Sequence, residues 1–204
     1  VLSTHDFLKE EDFLYYKEQL PVYFQYVTLF GVEQEGVFIG FMGSGKTTFG
    51  RWIAKTHSMK FLDTDEYIEN KYNKLIKDIF RESGEEAFRD METQAVRELA
   101  DSCDNCVISV GGGLPVRDIN RKLLKELGIV VYLEAEVDEL VKRLSKDTSR
   151  PLLAGGNLRE KIENLMAARE ALYKDAADVI VKTDRRRFED MYADVVTAIN
   201  MGIM

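Results

Sequence analysis

A glycine-rich segment that ends in a lysine and a threonine is the part of the sequence best suited to binding phosphate. Residues 40–47 read GFMGSGKT and match the pattern GxxxxGK[ST] at every fixed position, directly after the apolar run Val37–Ile39. Glycines allow backbone N–H groups to curl around a phosphate, and the following helix adds the positive end of its dipole. Lys46 offers a mobile positive charge to the outer phosphates, and the Thr47 hydroxyl is a ligand for Mg²⁺. The segment predicts a site for a nucleoside triphosphate.

Two acidic residues follow the second predicted strand. Asp63 and Asp65 come directly after Phe61-Leu62, at the carboxyl end of a strand, which is where ligands bind in open α/β sheets. One carboxylate can hold Mg²⁺ through water while the other faces the group that accepts the phosphate. The alternative is structural, because an aspartate in this position can cap the next helix.

Two further segments combine charge or bare backbone in ways that suit a ligand. Arg89 and Glu92 lie three residues apart on one predicted helix face, where a surface ion pair is the default interpretation. The run Gly111–Gly113 follows an apolar strand. Three successive glycines lose much backbone entropy on folding, so we expect a structural or functional requirement for them at this position. A ligand lying against bare backbone is one such requirement, and a flexible turn is the alternative.

The elements that position these residues alternate between strands and helices from Gly36 onward. Predicted strands cover residues 37–39, 61–62, 107–110, 130–133 and 179–181, and predicted helices cover 47–56, 66–103, 117–127, 137–144, 158–173 and 187–199. We expect breaks in the long helix near residues 72–74 and at 83–84, and we expect Gly128 to close the helix 117–127 as its C′ glycine. Apolar strands that alternate with helices are typical of a parallel sheet covered on both faces.

Residues 1–35 do not follow this alternation. Ser3 and Asp6 predict a helix start, Pro21 stops the helix, and the run Val22–Phe30 predicts a strand. Eight of the chain's 21 aromatic residues lie in this segment, which argues against disorder. We expect this extension to pack on the remaining domain, residues 36–204, on a second subunit or on a partner domain.

Composition narrows the class of protein. A chain of 204 residues is long enough for one buried core, and a net charge of −8 argues against a nucleic-acid partner, which needs clustered Lys and Arg. No apolar stretch approaches the roughly 20 residues of a membrane span, and the first residues lack a signal-peptide pattern, although Val1 need not be the native start. We expect a small cytoplasmic enzyme that acts on small molecules.

Both cysteines lie in the segment Cys103-Asp104-Asn105-Cys106, whose spacing occurs in redox motifs and zinc sites. A zinc site needs two more ligands, and His5 and His57 are far away in sequence. A thioredoxin-type pair opens a helix, whereas this pair precedes a predicted strand. We expect plain thiols at a helix-to-strand junction.

Taken together, six segments resemble those of the shikimate kinase family, in the same order and at nearly the same spacing. They are GFMGSGKTT, DTDEYIE, EEAFRDMET, VGGGLP, SRPLLAG and AAREALY, and the resemblance covers residues 37 to about 199. The resemblance implies a three-layer α/β/α fold, similar to nucleoside monophosphate kinases, with five parallel strands in the order 2-3-1-4-5. It also implies transfer of the ATP γ-phosphate to the 3-hydroxyl of shikimate, in aromatic amino-acid synthesis.

The resemblance also implies roles for individual residues. Thr47 and Asp63 would bind Mg²⁺. The ATP phosphates would be bound by Gly43, Ser44, Gly45, Lys46, Thr47 and Thr48. Shikimate would be bound by Asp65, Arg89, Gly111, Gly112, Gly113 and Arg169. Arg143 and Arg186 would flank the adenine of ATP. Catalysis would fall to Lys46, Asp65 and Arg150, the last carried by a lid at about residues 145–157.

The chemistry of these side chains agrees with that implication. Shikimate is a carboxylate that carries hydroxyl groups, and the planar guanidinium groups of Arg89 and Arg169 match a carboxylate. Asp65 can orient the attacking hydroxyl and take its proton during phosphoryl transfer. Closure of a lid excludes water and thereby limits hydrolysis of ATP.

Two other functions remain open at this stage. A gluconate-type or nucleotide kinase shares the phosphate-binding loop and the fold, but its acceptor is not a monocarboxylate ring held by this set of residues. A kinase-like regulatory protein without activity would be expected to have lost Lys46, Asp63, Asp65 or an arginine, and all are present. We expect the kinase domain to be a monomer, while residues 1–35 leave an oligomer or a fused partner open.

Overall fold

The computed structural model describes residues 35–145, 151–153 and 156–202. The predicted helix and strand of the N-terminal segment, Arg150 and a large part of the predicted lid lie outside these residues. The first strand begins at Glu35, one residue before the predicted domain boundary.

Five strands form one sheet. They are β1 (Glu35–Ile39), β2 (Lys60–Asp63), β3 (Cys106–Ser109), β4 (Gly128–Glu134) and β5 (Val179–Lys182). All neighbours pair in parallel, in the order β2-β3-β1-β4-β5, which confirms the predicted sheet. From β1 the chain continues toward the edge of the sheet that β2 forms, and from β4 it continues toward the edge that β5 forms. Such a reversal of direction between two neighbouring strands opens a crevice at the carboxyl ends of the strands.

Helices cover both faces of the sheet. They are α1 (Lys46–Thr56), α2 (Thr64–Tyr72), α3 (Ile76–Ser102), α4 (Asp118–Leu127), α5 (Val137–Leu144), α6 (Leu158–Ala176) and α7 (Phe188–Gly202), with 3-10 helices at Leu114–Val116 and Pro151–Leu153. Alternate side chains of β1 enter two different cores, as strand geometry requires. Val37 and Ile39 pack with α3, α4, α5 and α6, whereas Phe38 packs with α1 and α7. The three-layer α/β/α prediction is confirmed.

The predicted breaks between helices are present. Asn73 ends α2 in the left-handed conformation with φ 49°, and Gly84 interrupts α3 with φ 82°. Gly128 closes α4 as predicted, because the helix ends at Leu127 and the backbone N–H of Gly128 donates to the carbonyl oxygen of Leu124. Its φ of 167° is extended backbone, and it also begins β4. A Cβ on Gly128 would overlap the carbonyl oxygen of Glu35 on the neighbouring strand, so close strand packing explains this glycine.

The expectation of plain thiols is wrong. Cys103, which follows α3, and Cys106, which begins β3, form a disulfide. Asn105 adopts a left-handed conformation with φ 56° and reverses the chain between them. The turn brings the two Cα atoms to 6.1 Å, which lies within the range that a disulfide can bridge.

Candidate active site

The phosphate-binding segment connects the carboxyl end of β1 to the first turn of α1. Gly40, Gly43 and Gly45 have φ values of 141°, 80° and 101°, which residues with a Cβ rarely adopt. The ammonium group of buried Lys46 donates hydrogen bonds to the carbonyl oxygens of Gly40 and Phe41 at 2.9 and 3.0 Å. The loop therefore presents its backbone N–H groups and a lysine to the space above the helix start.

Three oxygen-bearing side chains from α1, β2 and β3 meet beside this loop. The Thr47 hydroxyl donates to Asp63 Oδ2 at 2.9 Å, and its oxygen lies 3.4 Å from the hydroxyl oxygen of Ser109. Hydroxyl and carboxylate oxygens are the hard ligands that Mg²⁺ prefers, and Mg²⁺ commonly uses only one or two protein groups beside water and phosphate. The donor set fits Mg²⁺.

Asp63 also fixes the second aspartate. Its other oxygen, Oδ1, accepts a hydrogen bond from the backbone N–H of Asp65 at 3.0 Å and so caps α2. The helix cap that the sequence offered as an alternative is therefore present together with the Thr47 contact. Because the cap holds the first turn of α2, Asp65 has a defined place on the wall of the cleft.

Arg89 lies in a buried ion-pair cluster on α3. Its guanidinium donates to Glu92 at 2.7 Å and to Glu85 at 2.6 Å, and the side chains of Arg89 and Glu92 are only 9% and 1% exposed. The default of a surface ion pair is wrong here. Burial raises the pKa of Glu92 to about 7, although Arg89 opposes the rise; Asp65 adds to it and Arg169 opposes it. The carboxylate of Glu92 thus lies among the charges assigned to the acceptor.

Two of the three glycines after β3 are required by this cluster. A Cβ on Gly111 would lie 2.6 Å from Asp65 Oδ1 and 2.8 Å from Glu92 Oε1. A Cβ on Gly113 would overlap the guanidinium group of Arg89. The glycines are there because charged side chains pack directly on the backbone, which excludes the interpretation as a merely flexible turn.

The middle glycine joins the cluster to the phosphate-binding loop. A Cβ on Gly112 would lie 3.2 Å from the backbone nitrogen of Met42. The carbonyl oxygen of Gly112 accepts a hydrogen bond from the hydroxyl of Tyr173 and lies 3.5 Å from Nη1 of Arg169. Burial raises the pKa of Tyr173 to about 12, so the phenol stays protonated and acts as the donor. Arg169 is itself buried on α6.

Most of these groups line one cleft of about 670 Å³. Its wall includes the phosphate-binding residues, both aspartates and part of the glycine run: Gly43, Ser44, Gly45, Lys46, Thr47, Thr48, Asp63, Asp65, Gly111 and Gly112. Arg169 adjoins the cleft through its contact with Gly112, and Arg89 pairs with Glu92, whose Oε1 atom lies beside Gly111. Arg150 lies outside the described residues.

The remaining two predicted arginines also line the cleft. Arg143 donates to the carbonyl oxygen of Gly43 at 3.1 Å and to that of Thr183 at 3.4 Å, which ties the phosphate-binding loop to the segment after β5. Arg186 pairs with Asp194 of α7 at 2.5 Å. Both guanidinium groups are therefore held in place before any nucleotide binds.

Some residues of the site did not stand out in the sequence. Tyr173 lies four residues after Arg169 on the same face of α6, and this spacing was the available signal. Thr183 is a single threonine after β5, and nothing in the sequence marks it. Glu92 was visible as a partner of Arg89, but its burial depends on the packing of α3 against other elements.

Comparison with known proteins identifies the same family as the sequence motifs. The family model described as "Shikimate kinase" matches residues 42–200. A shikimate kinase from Dictyoglomus turgidum is 43% identical over 162 residues, which cover 78% of this chain and 93% of that protein. One from Chromohalobacter salexigens is 43% identical over 150 residues, 74% of this chain and 83% of that protein. The solved structure "Shikimate kinase from Acinetobacter baumannii in complex with shikimate" has a TM-score of 0.78 at 33% identity and covers 89% of this chain and 97% of the other.

Proposed function

The chain belongs to the shikimate kinase family, and we propose that its cleft divides the family reaction between a phosphate end and an acceptor end. The enzyme transfers the γ-phosphate of ATP to the 3-hydroxyl of shikimate, giving shikimate 3-phosphate and ADP. The observation that supports our division most strongly is the cluster beside the phosphate-binding loop in which half-buried Asp65 joins the buried side chains of Arg89, Glu92 and Arg169.

At the phosphate end, we assign binding of the ATP phosphates to the backbone N–H groups of residues 43–48. Lys46 can exchange its carbonyl partners in the loop for phosphate oxygens, because its flexible stem carries a point charge. We assign Mg²⁺ to Thr47 and Asp63, whose oxygens already meet. When bound, Mg²⁺ neutralises charge on the β- and γ-phosphates.

At the acceptor end, we assign the shikimate carboxylate to the guanidinium groups of Arg89 and Arg169. Glu92 and Glu85 hold Arg89 in place, and the lack of side chains at Gly111 and Gly113 leaves the room that Asp65, Glu92 and Arg89 occupy. Asp65 then accepts the hydrogen bond of the 3-hydroxyl and takes its proton while the oxygen bonds to the γ-phosphorus and ADP leaves.

Three arginines complete the proposal. Arg143 and Arg186 line the cleft, where Arg143 contacts the phosphate-binding loop, and we assign them to flank the adenine. Arg150, carried by the lid at about residues 145–157, adds positive charge to the transferring phosphoryl group. This last role rests on the family resemblance alone, because Arg150 lies outside the described residues.

Further proposals concern the setting of the enzyme. Among the described residues, none of the helices has the length and apolarity needed to cross a membrane. We propose a cytoplasmic location because the reaction consumes ATP, and a monomeric kinase domain because the assigned residues all come from one chain. The net charge of −8 favours an enzyme without a nucleic-acid partner.

The two aspartates provide the test of the division. Asp65→Asn should lower kcat by about 100-fold or more, because it removes the carboxylate that orients the hydroxyl and accepts its proton. Asp63→Asn should instead shift the Mg²⁺ concentration needed for half-maximal activity, because the metal loses a ligand. The measurement is shikimate-dependent formation of ADP during an Mg²⁺ titration, with gluconate as the control acceptor.

The two profiles must differ for the assignment to stand. Equal shifts in metal dependence together with equal losses in kcat would show that the aspartates do not have separate roles. Activity toward gluconate that matches activity toward shikimate would contradict the acceptor assignment.

A further inference from the structure

Three potential metal ligands converge at the edge of the sheet opposite the cleft. They are Glu35 at the start of β1 and the two cysteines that flank the turn before β3, Cys103 and Cys106. Their carboxylate oxygen and sulfur atoms all lie within 4.8 Å of one another. We propose that, once the disulfide is reduced, these three side chains bind a thiophilic divalent cation such as Zn²⁺. The disulfide and the metal complex are then alternative states of one site.

The turn between the cysteines is held on both sides. The backbone N–H of Cys103 donates to Leu99 in the last turn of α3 at 2.8 Å, and the carbonyl of Asn105 accepts from Lys60 of β2 at 3.0 Å. Asn105 supplies the left-handed residue that reverses the chain. Two cysteines separated by two residues on such a turn are a common half of a zinc site. Breaking the disulfide leaves this framework intact.

The spacing of the sulfurs suits either state. A tetrahedral zinc ion with Zn–S bonds of about 2.3 Å separates its two sulfurs by about 3.8 Å. The Cα atoms, 6.1 Å apart, accommodate that separation through side-chain rotation alone. A dithiol supplies the two electrons and two protons that convert the disulfide to two thiols, and it becomes a disulfide itself. Binding of the cation then releases the two thiol protons.

Glu35 makes the site more than a pair of cysteines. Its Oε2 atom accepts the backbone N–H of Cys106, and a ligating carboxylate is typically oriented by such a hydrogen bond. One carboxylate oxygen of Glu35 lies within 4.8 Å of both sulfurs. Two thiolates and one carboxylate give a charge of −3 and a soft donor set, which selects Zn²⁺ over Mg²⁺. Water takes the fourth position, and partly exposed Cys103 and Glu35 give access from solvent.

The location indicates a structural role. The site joins the beginning of β1, which leads to the phosphate-binding loop, to the end of α3, which carries Arg89. The Mg²⁺ ligands lie at the other ends of the parallel strands, beyond Ser109 on β3. Metal bound to Glu35 should therefore stabilise the fold of the reduced protein while leaving kcat for shikimate unchanged.

The test uses Co²⁺ as a spectroscopic probe for the Zn²⁺ site. The full chain is reduced with dithiothreitol, freed from it by gel filtration under nitrogen, and titrated with Co²⁺. We expect one equivalent to give an intense near-ultraviolet thiolate-to-cobalt band that Zn²⁺ abolishes and a large excess of Mg²⁺ does not. The oxidised protein should give no band. A reduced protein without this band would overturn the proposal.

Variants assign the ligands. Cys103→Ser should abolish the band, and Glu35→Gln, which keeps both sulfurs, should weaken binding at least tenfold. Asp104→Asn is the control, because Asp104 is exposed between the cysteines but outside the trio, and its affinity should equal that of the parent. If Glu35→Gln bound as tightly as the parent, or Asp104→Asn bound as weakly as Glu35→Gln, the three-ligand site would be wrong, whether or not Cys103→Ser folds.

Discussion

The two ends of the cleft are built in different ways. At the phosphate end, the loop is a single run of residues, 40–47, whose shape comes from its own glycines. The acceptor end collects Asp65 from α2, Arg89 from α3, the run Gly111–Gly113 after β3 and Arg169 from α6. The first depends on backbone conformation, and the second depends on contacts between side chains that are far apart in sequence.

The two ends therefore respond differently to substitution. At the phosphate end, a change that the backbone cannot adopt disturbs the whole loop. At the acceptor end, the charges are buried and hold one another, so that removing one charge leaves another without its partner. A substitution at the phosphate end should therefore change the kinetic constants for ATP, and a substitution at the acceptor end should change those for shikimate. The predictions below test that separation.

The largest effect is expected from the arginines. Arg89→Ala or Arg169→Ala should lower kcat/KM for shikimate by about 100- to 1000-fold, because a charged pair in a closed site is lost. The KM for ATP should change far less. Steady-state kinetics with each substrate varied in turn measures both effects, with Arg97→Ala, an exposed arginine on the same helix, as the control. Near-normal kcat/KM for shikimate in either variant would remove the acceptor assignment.

Next come two glycine substitutions that act by different mechanisms. Gly113 has φ −96°, which alanine adopts readily, so Gly113→Ala acts only by displacing the guanidinium of Arg89. Gly45 has φ 101° with open space around it, so Gly45→Ala acts only through backbone strain of about 1–2 kcal/mol. The first should raise KM for shikimate about tenfold or more, and the second should raise KM for ATP about tenfold.

Measured side by side, the two alanine variants give a direct comparison of the ends. Each should leave the KM of the other substrate within about twofold, a free-energy change of about 0.4 kcal/mol. If both variants raised the same KM, the separation into two ends would fail.

A smaller effect should appear in the pH dependence of stability. The pKa of Glu92 is about 7 in the folded protein and 4.5 as an ordinary value. The folded state therefore binds this proton more tightly than the unfolded state. Between these two pKa values the free energy of unfolding should fall as pH rises, by up to about 1.4 kcal/mol per pH unit.

Urea denaturation from about pH 5 to about pH 8 measures this contribution. Glu92→Gln is neutral throughout and should lack it, so that the parent loses stability relative to this variant as pH rises to 7. Glu163→Gln, at an exposed position on α6, should keep the slope of the parent. If the free energy of unfolding of Glu92→Gln had the same pH dependence as that of the parent, burial would not raise the pKa of Glu92.

The smallest effect on chemistry is expected from the N-terminal segment. None of the residues assigned to either end lies before residue 35, so a protein that begins at Gln34 should keep shikimate-dependent ADP formation when assayed cold. We propose that residues 1–33, which the truncated protein lacks, contribute to stability or assembly, which predicts a lower melting temperature or a changed mass in light scattering. Loss of activity in a truncated protein that is still folded would instead place this segment at the cleft.

Local patterns in the sequence were sufficient for most of the fold. Short apolar runs predicted all five strands. Both faces of β1, β3 and β4 are buried, so these strands need no polar alternation, whereas β5 alternates buried and exposed residues. Gly84 was recognised as a break, since its lack of a Cβ allows a positive φ. Gly128 was recognised as the end of a helix, but its close contact with Glu35 of the neighbouring strand β1 was not, because Glu35 lies 93 positions earlier in the sequence.

The sequence by itself determined the phosphate-binding loop, since Gly40, Gly43 and Gly45 act on their own backbone and Lys46 follows directly. It also named Asp65, Arg89 and Arg169 through their resemblance to one family. Only the tertiary structure decided that Glu92 is buried, that each glycine of the 111–113 run packs on a different partner, and that the cysteines meet Glu35. Burial and distance depend on how separate elements pack, and no local pattern contains that information.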